Sequence, residues 1–403
     1  MNDMINVIGG TYREVNLDYI SNNIYGSGLR AVKYLLESST LNVNFYTAGN
    51  EDSKKYLKDF KQIYKERFDF QIEGTNSILT FKYNFALDNP TIYPSPQLID
   101  QKTNINVSEG NIICFGMLDA SFSINANKVV YDPQTSINPI IFSKENKAKE
   151  LIYIVNSTEA EVLSQSKAKK DILRFFFIEE KVTALIIKSG PKGASLFLNE
   201  ETEIAIPSYI TENVYKIGSG DIFTTVFGRY WLEGNLPLED CARYASKATA
   251  LYCNDESYFI KESFFENFTF KEYIYKDLRE KQIYLASPIF SLSEVILIDK
   301  IRNAFQDIGV KVFSPYHDIG YGDERLIAEA DLKGLNDSDI VFSVLDGLDS
   351  GTLVELGYAM AKNMRIIGYH RTESIESLLM LECANISYFK DLTTAIYQTI
   401  WNL

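Results

Sequence analysis

The sequence predicts an α/β protein built as two domains, and three observations carry that prediction. Short apolar runs alternate with amphipathic stretches along the chain, as strands and helices laid down in turn would. The 403 residues suit two or three domains at roughly 100–200 residues each. An irregular, charged and aromatic stretch, Phe264–Lys281, lies between two well-patterned parts, which places a first domain at 1–268, a linker at 269–281 and a second domain at 282–403.

In the first part, Ile5–Ile8, Ile112–Gly116, Val129–Tyr131, Leu151–Val155 and Ala184–Lys188 read as strands. Ser53–Lys65 and Glu159–Phe176 read as helices between them. Residues 68–110 alternate Thr, Tyr, Phe and Asn with few helix signals, which suits an antiparallel flap on a parallel core. The second part restarts with a strand at Gln282–Pro288 and a helix over about Ser293–Ile308. Its apolar positions Leu297, Ile298, Ile301, Ala304, Phe305 and Ile308 share one face; Ser291 or Ser293 can cap it, and Gly309 stands where a C′ glycine belongs. Strand Val310–Phe313, helix Glu324–Asn336, strand Ile340–Leu345, helix Thr352–Lys362 and strand Arg365–Gly368 follow. That order predicts a smaller flavodoxin- or Rossmann-like parallel sheet, whose ligands gather where loops leave the carboxyl ends of strands.

Composition narrows the chemistry. Hydrophobic residues make up 46% and charged residues 23%, ordinary for a folded chain. The net charge of −14 argues against nucleic-acid binding, which needs a basic face. No apolar run approaches the roughly 18 residues of a membrane span, and the first residues lack the basic start and apolar core of a signal peptide. The four cysteines form no C-x-x-C pair and read as reduced and structural, which points to the cytoplasm. With only two histidines, His317 and His370, the chemistry must rest on carboxylates, glycines and backbone dipoles. His317 reads as a loop histidine at a strand end, and Trp231 as core.

Two constellations meet that requirement. The first is Gly218-Ser219-Gly220-Asp221, followed by Ile222, Phe223, Val226, Phe227, Tyr230 and Trp231 on one helical face. Glycines ahead of a helix let backbone N–H groups converge on an anion, and the helix N-terminus adds positive potential. Asp221 is placed to take a proton from an attacking hydroxyl; a glycine turn with an acidic helix cap has the same local look. The second runs Asp346-Gly347-Leu348-Asp349-Ser350-Gly351-Thr352-Leu353-Val354-Glu355-Leu356-Gly357, preceded by Tyr284 and Asp331. A carboxylate at Glu355 suits nucleophilic attack on an anomeric carbon, whose oxocarbenium-like transition state favours negative charge. Asp331 or Asp349 would handle the leaving base's proton or bind sugar hydroxyls. Gly357 would let another backbone come close. Asp337 and Asp339 read as a turn and a strand entry.

Further motifs sit ahead of the first constellation: Gly26-Ser27-Gly28, Asn156-Ser157-Thr158-Glu159, and Lys188-Ser189-Gly190-Pro191-Lys192-Gly193. In this order, residues 1 to about 265 resemble the ribokinase-like PfkB family of sugar and nucleoside kinases. The resemblance implies a three-layer α/β domain with a β lid, to which residues 68–110 contribute. It implies an anion hole at Gly218, Ser219 and Gly220, and a general base at Asp221. It implies a nucleotide and phosphate site at Asn156, Lys188, Gly190 and Gly193, with magnesium reached through water by Glu159. ATP and Mg²⁺ are the implied cofactors. On the substrate side it implies Glu14, Gly26, Gly28 and Arg30. The chain departs from the family pattern at several of these places. Lys188 replaces the usual Thr, Tyr215-Lys216-Ile217 replace D-T-T or D-T-P, Leu29 or Arg30 replaces an Asn, and Glu14 replaces an Asp.

The run Asp349 to Ala359 follows the D-x-G-x-x-x-E-L-G-x-A pattern, so residues 282 to about 390 resemble the nucleoside 2-deoxyribosyltransferase superfamily, which includes deoxynucleoside monophosphate N-glycosidases. That resemblance implies a nucleophile at Glu355 steadied by Tyr284, acids at Asp331 and Asp349, and substrate contacts at Phe290 and Gly351. It also implies a homodimer or larger homo-oligomer. The expected activities are ATP-dependent phosphorylation of a nucleoside or related sugar by the first domain, and cleavage or exchange of an N-glycosidic bond by the second. The alternative is an effector that depletes nucleotides or NAD, with a regulatory or degenerate kinase half.

Overall fold

The structure, a computed structural model, describes residues 4–17, 20–99, 103–135, 139–234, 236–274, 277–320, 324–374, 376–383 and 385–403. It divides into two compact units, one of residues 1–211 and 215–273, the other of 212–214 and 274–403.

The larger unit is built on a ten-stranded sheet. From one edge its strands are Glu203–Ile206, Ala194–Phe197, Ala184–Lys188, Lys147–Asn156, Ala120–Asp132, Asn111–Phe115, Met4–Ile8, Asn42–Gly49 and Phe68–Gly74, with Thr103–Ser108 also pairing Ala120–Asp132. Pairing is parallel from Ala184–Lys188 through to Phe68–Gly74, and the two strands at the other edge are antiparallel. The parallel strands bury both faces, which is why they read as apolar runs rather than alternations. One face packs on helices Ser27–Ser38, Glu51–Tyr64, Ser219–Glu233 and Leu238–Asp255, and the other on Ser157–Ser164 and Lys169–Arg174. This is the three-layer α/β arrangement expected.

The lid differs from the expectation. It is a four-stranded sheet in the order Ser21–Tyr25, Tyr12–Asn16, Thr80–Tyr83, Thr91–Tyr93. Half of it therefore comes from residues 12–25. Phe68–Gly74 belongs to the main sheet instead, and Tyr12–Asn16 pairs with Thr80–Tyr83 in parallel, so the flap is mixed. The single helix expected at Glu159–Phe176 is two helices, because Gln165 at φ 55° turns the chain out of the first at Ser164. Helix Ser219–Glu233 is buried nearly all round, Thr224, Thr225 and Arg229 included, since sheet and neighbouring helices enclose it. Cys114, Cys241 and Cys253 are buried and free. Residues 271–273 of the expected linker form a strand paired with Ser208–Ile210.

The smaller unit is a five-stranded, wholly parallel sheet in the order Lys311–Phe313, Gln282–Ala286, Ile340–Val344, Ile366–Tyr369, Ile386–Phe389. Taken along the chain this is the 2-1-3-4-5 order of flavodoxin-like sheets, whose switch point lies between the first and third strands. Helix Leu292–Ile308 starts on a capping box of Ser291 and Glu294 and ends on Gly309 at φ 91°. A last strand and helix, Ile386–Phe389 and Leu392–Trp401, close the unit. Among the described residues no helix is long and apolar enough to cross a membrane.

Candidate functional sites

The larger unit holds a cavity of about 710 Å³ at the carboxyl ends of its parallel strands. Glu14 and Tyr83 of the lid, Gly26, Arg30, Gly116, Gln134, Asn156, Glu159, Gly218 and Asp221 line it. Each reaches the wall by local necessity. Gly218, at φ 80°, caps helix Ser219–Glu233 and turns the loop so that Asp221 falls in the first turn. Asn156 and Glu159 form a capping box: Asn156 Oδ1 accepts from the Glu159 amide and Glu159 Oε2 from the Asn156 amide, both at 2.8 Å. Gly26, at φ 87°, donates its amide to Glu14 Oε1 at 3.0 Å.

Arg30 occupies the middle of this wall, 2% exposed. Its two terminal nitrogens donate to Asp221 Oδ2 and to Glu14 Oε2, each at 2.6 Å. Gln134 Nε2 donates to Asp221 Oδ1 at 3.1 Å. Burial raises the Asp221 carboxyl above the usual range, and Arg30 opposes that shift. Gly218 is a glycine here for a second reason: a Cβ would stand 2.1 Å from Arg30 Nε.

Behind the cavity lies a second charge group. Lys188 Nζ donates to Asp132 Oδ2 at 2.7 Å, and Thr224 Oγ1 donates to the same oxygen at 2.7 Å. The ammonium also stands 3.5 Å from where a Gly220 Cβ would be, which puts positive charge beside the helix N-terminus. Lys216 Nζ donates to Ser219 Oγ at 2.9 Å, and burial holds its ammonium below the ordinary lysine value. Burial, then the charge of Asp132, raises Glu159 to about 7. No cluster of three or more His, Cys, Asp or Glu side chains able to hold a metal occurs among the described residues. A single hard oxygen ligand such as Glu159, lining the cavity, fits a magnesium ion that keeps most of its water and is held chiefly by phosphates.

The structure thus brings Glu14, Gly26, Arg30, Asn156, Glu159, Gly218 and Asp221 together. Gly28 does not join them: its Cβ position lies 2.6 Å from the Gly9 carbonyl carbon, so it serves helix-to-loop packing. Gly190 and Gly193 lie in the turn after Ala184–Lys188 and are not in the cavity wall. Asp132 and Gln134 were not singled out from sequence, and Lys216 was marked only as a departure from the family pattern. Asp132 ends a strand directly before Pro133, and that strand-end acid was the available signal.

In the smaller unit, Tyr284 comes from the first strand and Glu355 from the helix Ser350–Ala361 that follows the third strand, so the switch point joins them. Tyr284 Oη donates to Glu355 Oε1 at 2.7 Å, and the Tyr284 ring stacks on Phe313. Burial raises Glu355 to about 7; the tyrosine bond opposes the shift, and Asp331 and Asp349 add to it. Burial also raises Asp331, whose Oδ1 is buried without a hydrogen-bond partner. Asp349 has structural work, since its Oδ2 accepts the Thr352 amide at 2.8 Å and caps the helix. Gly351 lies in that first turn, its Cβ position 3.1 Å from Asp349 Oδ2. Phe290 is 78% exposed. No atom of the described chain comes within 4 Å of a Gly357 Cβ, so that glycine does not serve a close backbone approach. His317 is tied to Ser314 Oγ at 3.0 Å and Asp299 at 2.8 Å, as a satisfied loop histidine would be.

Comparison with known proteins follows the same division. Residues 132–258 match the pfkB family carbohydrate kinase, and residues 283–381 match nucleoside 2-deoxyribosyltransferase. No curated protein matches the chain. Among solved structures, a ribokinase from Thermotoga maritima is similar at 15% identity and TM-score 0.45, covering 64% of this chain and 94% of that one. A nucleoside kinase from Methanocaldococcus jannaschii, described as an archaeal member of the ribokinase family, is similar at 13% identity and TM-score 0.47, covering 65% and 96%. A fructokinase from Vibrio cholerae O395, described in a fructose, ADP and calcium ion bound form, is similar at 10% identity and TM-score 0.47, covering 66% and 99%. The chain therefore joins a PfkB-kinase-like part to a nucleoside-deoxyribosyltransferase-like part, as the two motif sets imply.

Proposed function

We propose that the chain is a bifunctional nucleoside-metabolising enzyme of the cytoplasm. Its first half phosphorylates a nucleoside or related sugar from ATP, and its second half cleaves or exchanges the N-glycosidic bond of a nucleoside or its 5′-monophosphate. The observation that carries the reading is the Glu355–Tyr284 pair at the switch point, with Asp331 alongside in the electrostatics of the site.

In that half, the ionised Glu355 attacks the anomeric carbon while the bond from that carbon to the base nitrogen breaks. Asp331, whose carboxyl burial raises above the usual carboxylate range, supplies the proton to the departing base. Water or a second base then takes the glycosyl group from Glu355. Tyr284 holds the carboxylate in line, Asp349 and Gly351 shape the helix start, and Phe290 offers an aromatic face to the base.

In the kinase half, the anion hole at Gly218, Ser219 and Gly220, where helix Ser219–Glu233 begins, and the nearby ammonium of Lys188 offset the charge of the phosphoryl group in flight; the Ser219 amide itself is given to the Lys216 carbonyl at 3.0 Å, so the positive helix end carries most of that role. Asp221 takes the proton of the acceptor hydroxyl. Glu14, Gly26 and Arg30 face the acceptor, and Asn156 and Glu159 stand on the phosphate side. The turn holding Gly190 and Gly193 lies on the nucleotide side. Magnesium, when bound to the nucleotide phosphates, offsets their negative charge. A homodimer or larger assembly belongs to the same reading; exposed apolar Leu326 and Val354 on neighbouring helices support it, and light scattering on pure protein checks it.

The test is incubation of pure protein with ATP, magnesium and a panel of nucleosides and nucleoside monophosphates. ADP and free base are both expected. If neither appears with any substrate, the reading fails. A second reading, a nucleotide- or NAD-depleting effector with a regulatory kinase half, draws on Arg30 holding Asp221. It expects growth arrest on expression that Glu355→Ala abolishes, and no ADP from any acceptor; harmless expression counts against it.

A further inference from the structure

Lys216 stands just ahead of the glycine loop of the larger unit and grips it at Ser219 by two bonds. The Ser219 amide donates to the Lys216 carbonyl at 3.0 Å, and the Lys216 ammonium donates to Ser219 Oγ at 2.9 Å. This clamp fixes the residue with which helix Ser219–Glu233 begins. The charge it brings is unbalanced. No carboxylate among the described residues pairs with Lys216: Asp221 pairs with Arg30 at 2.6 Å, and Asp132 with Lys188 at 2.7 Å. Burial lowers the ammonium below the ordinary lysine value; the Cys253 thiol and Asp221 oppose that shift, and the Lys188 ammonium adds to it. The thiol is no counter-charge at neutral pH, since burial raises it to about 11. Lys188 Nζ stands 3.5 Å from where a Gly220 Cβ would be. Two ammonium groups therefore flank Ser219 and Gly220, where the helix dipole is already positive. Like charges gathered away from water are unfavourable until an opposite charge joins them. Asp132 balances Lys188 and leaves the charge of Lys216 in excess. Lys216 is not in the cavity wall, so it acts through Ser219 and through its field.

We propose that Lys216 is a positioning residue on the donor side, whose ammonium holds the glycine loop and supplies the excess positive charge by which the site favours a nucleoside triphosphate over a diphosphate. The inference rests on the kinase reading of this site, in which the terminal phosphate of the donor lies at Gly218–Gly220. A diphosphate leaves that place unfilled and the ammonium unbalanced. A triphosphate brings its last negative charge to the place where the excess lies, and the attraction is strong because water is largely excluded there. The departure from the kinase pattern at Tyr215-Lys216-Ile217 is then a gain of charge beside the anion hole rather than a decay of the loop.

The test uses the full chain with magnesium and two probes, ADP and an ATP analogue in which an imido group replaces the oxygen before the terminal phosphorus. Calorimetry reads both affinities. The wild type should bind the analogue about tenfold or more tightly than ADP, the size expected of a nearby charge partly screened by solvent. Lys216→Arg, which keeps the charge, should keep most of that preference. Lys216→Gln, which can still donate to Ser219 Oγ but carries no charge, should lose it while ADP binds nearly as before. Melting curves show whether the variants fold. Where Lys216→Gln does not fold, Ser219→Ala, which releases the ammonium from the loop, takes its place and should lose the preference too. The wild-type comparison needs no variant. Equal binding of the two probes by the wild type overturns the proposal, as does an unchanged preference in folded Lys216→Gln. A loss shared equally by ADP and the analogue also overturns it, because that is what a purely structural lysine gives. Failure of both probes to bind removes the proposal and the kinase reading together. A preference that follows the charge at Lys216, with no ADP formed from ATP and any acceptor, leaves the recognition standing and removes the kinase reading alone. ADP formation with the preference unchanged in Lys216→Gln removes the proposal alone.

Discussion

Asp221 and Glu355 are both acids in the first turns of a helix, and both are raised by burial. They differ in the group that holds them. Asp221 meets a buried guanidinium, a full positive charge that opposes the rise burial imposes on the carboxyl. Glu355 meets a neutral phenol, which steadies one oxygen without balancing its charge. A carboxylate paired with a cation is drawn toward its ionised, proton-accepting form. A carboxylate paired with a hydroxyl, with two acids nearby, is a nucleophile whose readiness depends on pH. The same side-chain chemistry is thus set to two different tasks by one partner each.

Exchanging the two roles by mutation gives the largest expected effects. Glu355→Ala should lower base release by about 10³-fold or more while ADP formation persists, since only the nucleophile is lost. Asp221→Ala should lower ADP formation by about 10²–10⁴-fold and spare base release. Paired assays of ADP and free base on each variant check both, and loss of both products in either variant breaks the division into two independent sites. Next in size is a stability effect. Lys188→Met leaves Asp132, 1% exposed, without its cation, and breaking such a buried pair typically costs about 3–5 kcal/mol. Denaturant unfolding should show the loss, and Asp132→Asn in the Lys188→Met background should recover part of it. A smaller effect is expected for Tyr284→Phe, which removes the 2.7 Å bond to Glu355. A hydrogen bond to a charged group is worth about 1.5–3 kcal/mol, so base release should fall about 10–100-fold. The rising limb of its pH profile should also move upward, because the tyrosine bond is what lowers the Glu355 value.

The contrast between the two sites was only partly legible in the sequence, for reasons of distance along the chain. Strand Ala184–Lys188 and helix Glu324–Asn336 have the boundaries expected, because local hydrophobic spacing specifies them. The Gly309 terminator and the Ser291 cap are equally local. Glu355 and Tyr284 were both marked by motif, and the sheet order brings them together. Arg30 and Asp221 are separated by 191 positions, and nothing local in either segment announces an ion pair. The lid strands Tyr12–Asn16 and Ser21–Tyr25 are short and carry polar residues on both faces, and the first finds a parallel partner in Thr80–Tyr83, far along the chain. Their pattern therefore resembles a loop until the pairing is known. Asp132 was hidden because its strand was read as Val129–Tyr131 alone, whereas pairing with Thr103–Ser108, Asn111–Phe115 and Lys147–Asn156 extends it over Ala120–Asp132, with Asp132 itself opposite Phe115.

The smallest expected effect concerns stability rather than turnover, and it isolates the burial of Glu355 from its chemistry. An acid raised in the folded protein binds its proton more tightly there than in the unfolded chain. Its contribution to stability is fully present below the unfolded value, near 4.5, and is lost as pH rises through the folded value, about 7. Above that point the wild type carries an ionised, half-buried carboxylate that Glu355→Gln lacks. The variant should therefore melt at a higher temperature than the wild type at pH 8, and the gap should shrink as the pH falls to 5. Base release in the wild type runs the opposite way, rising with pH toward a plateau past about 7 as the nucleophile ionises. A melting difference that is flat from pH 5 to 8 would show that Glu355 does not titrate in this range, and would return the pH dependence of the site to Asp331, the other acid raised by burial.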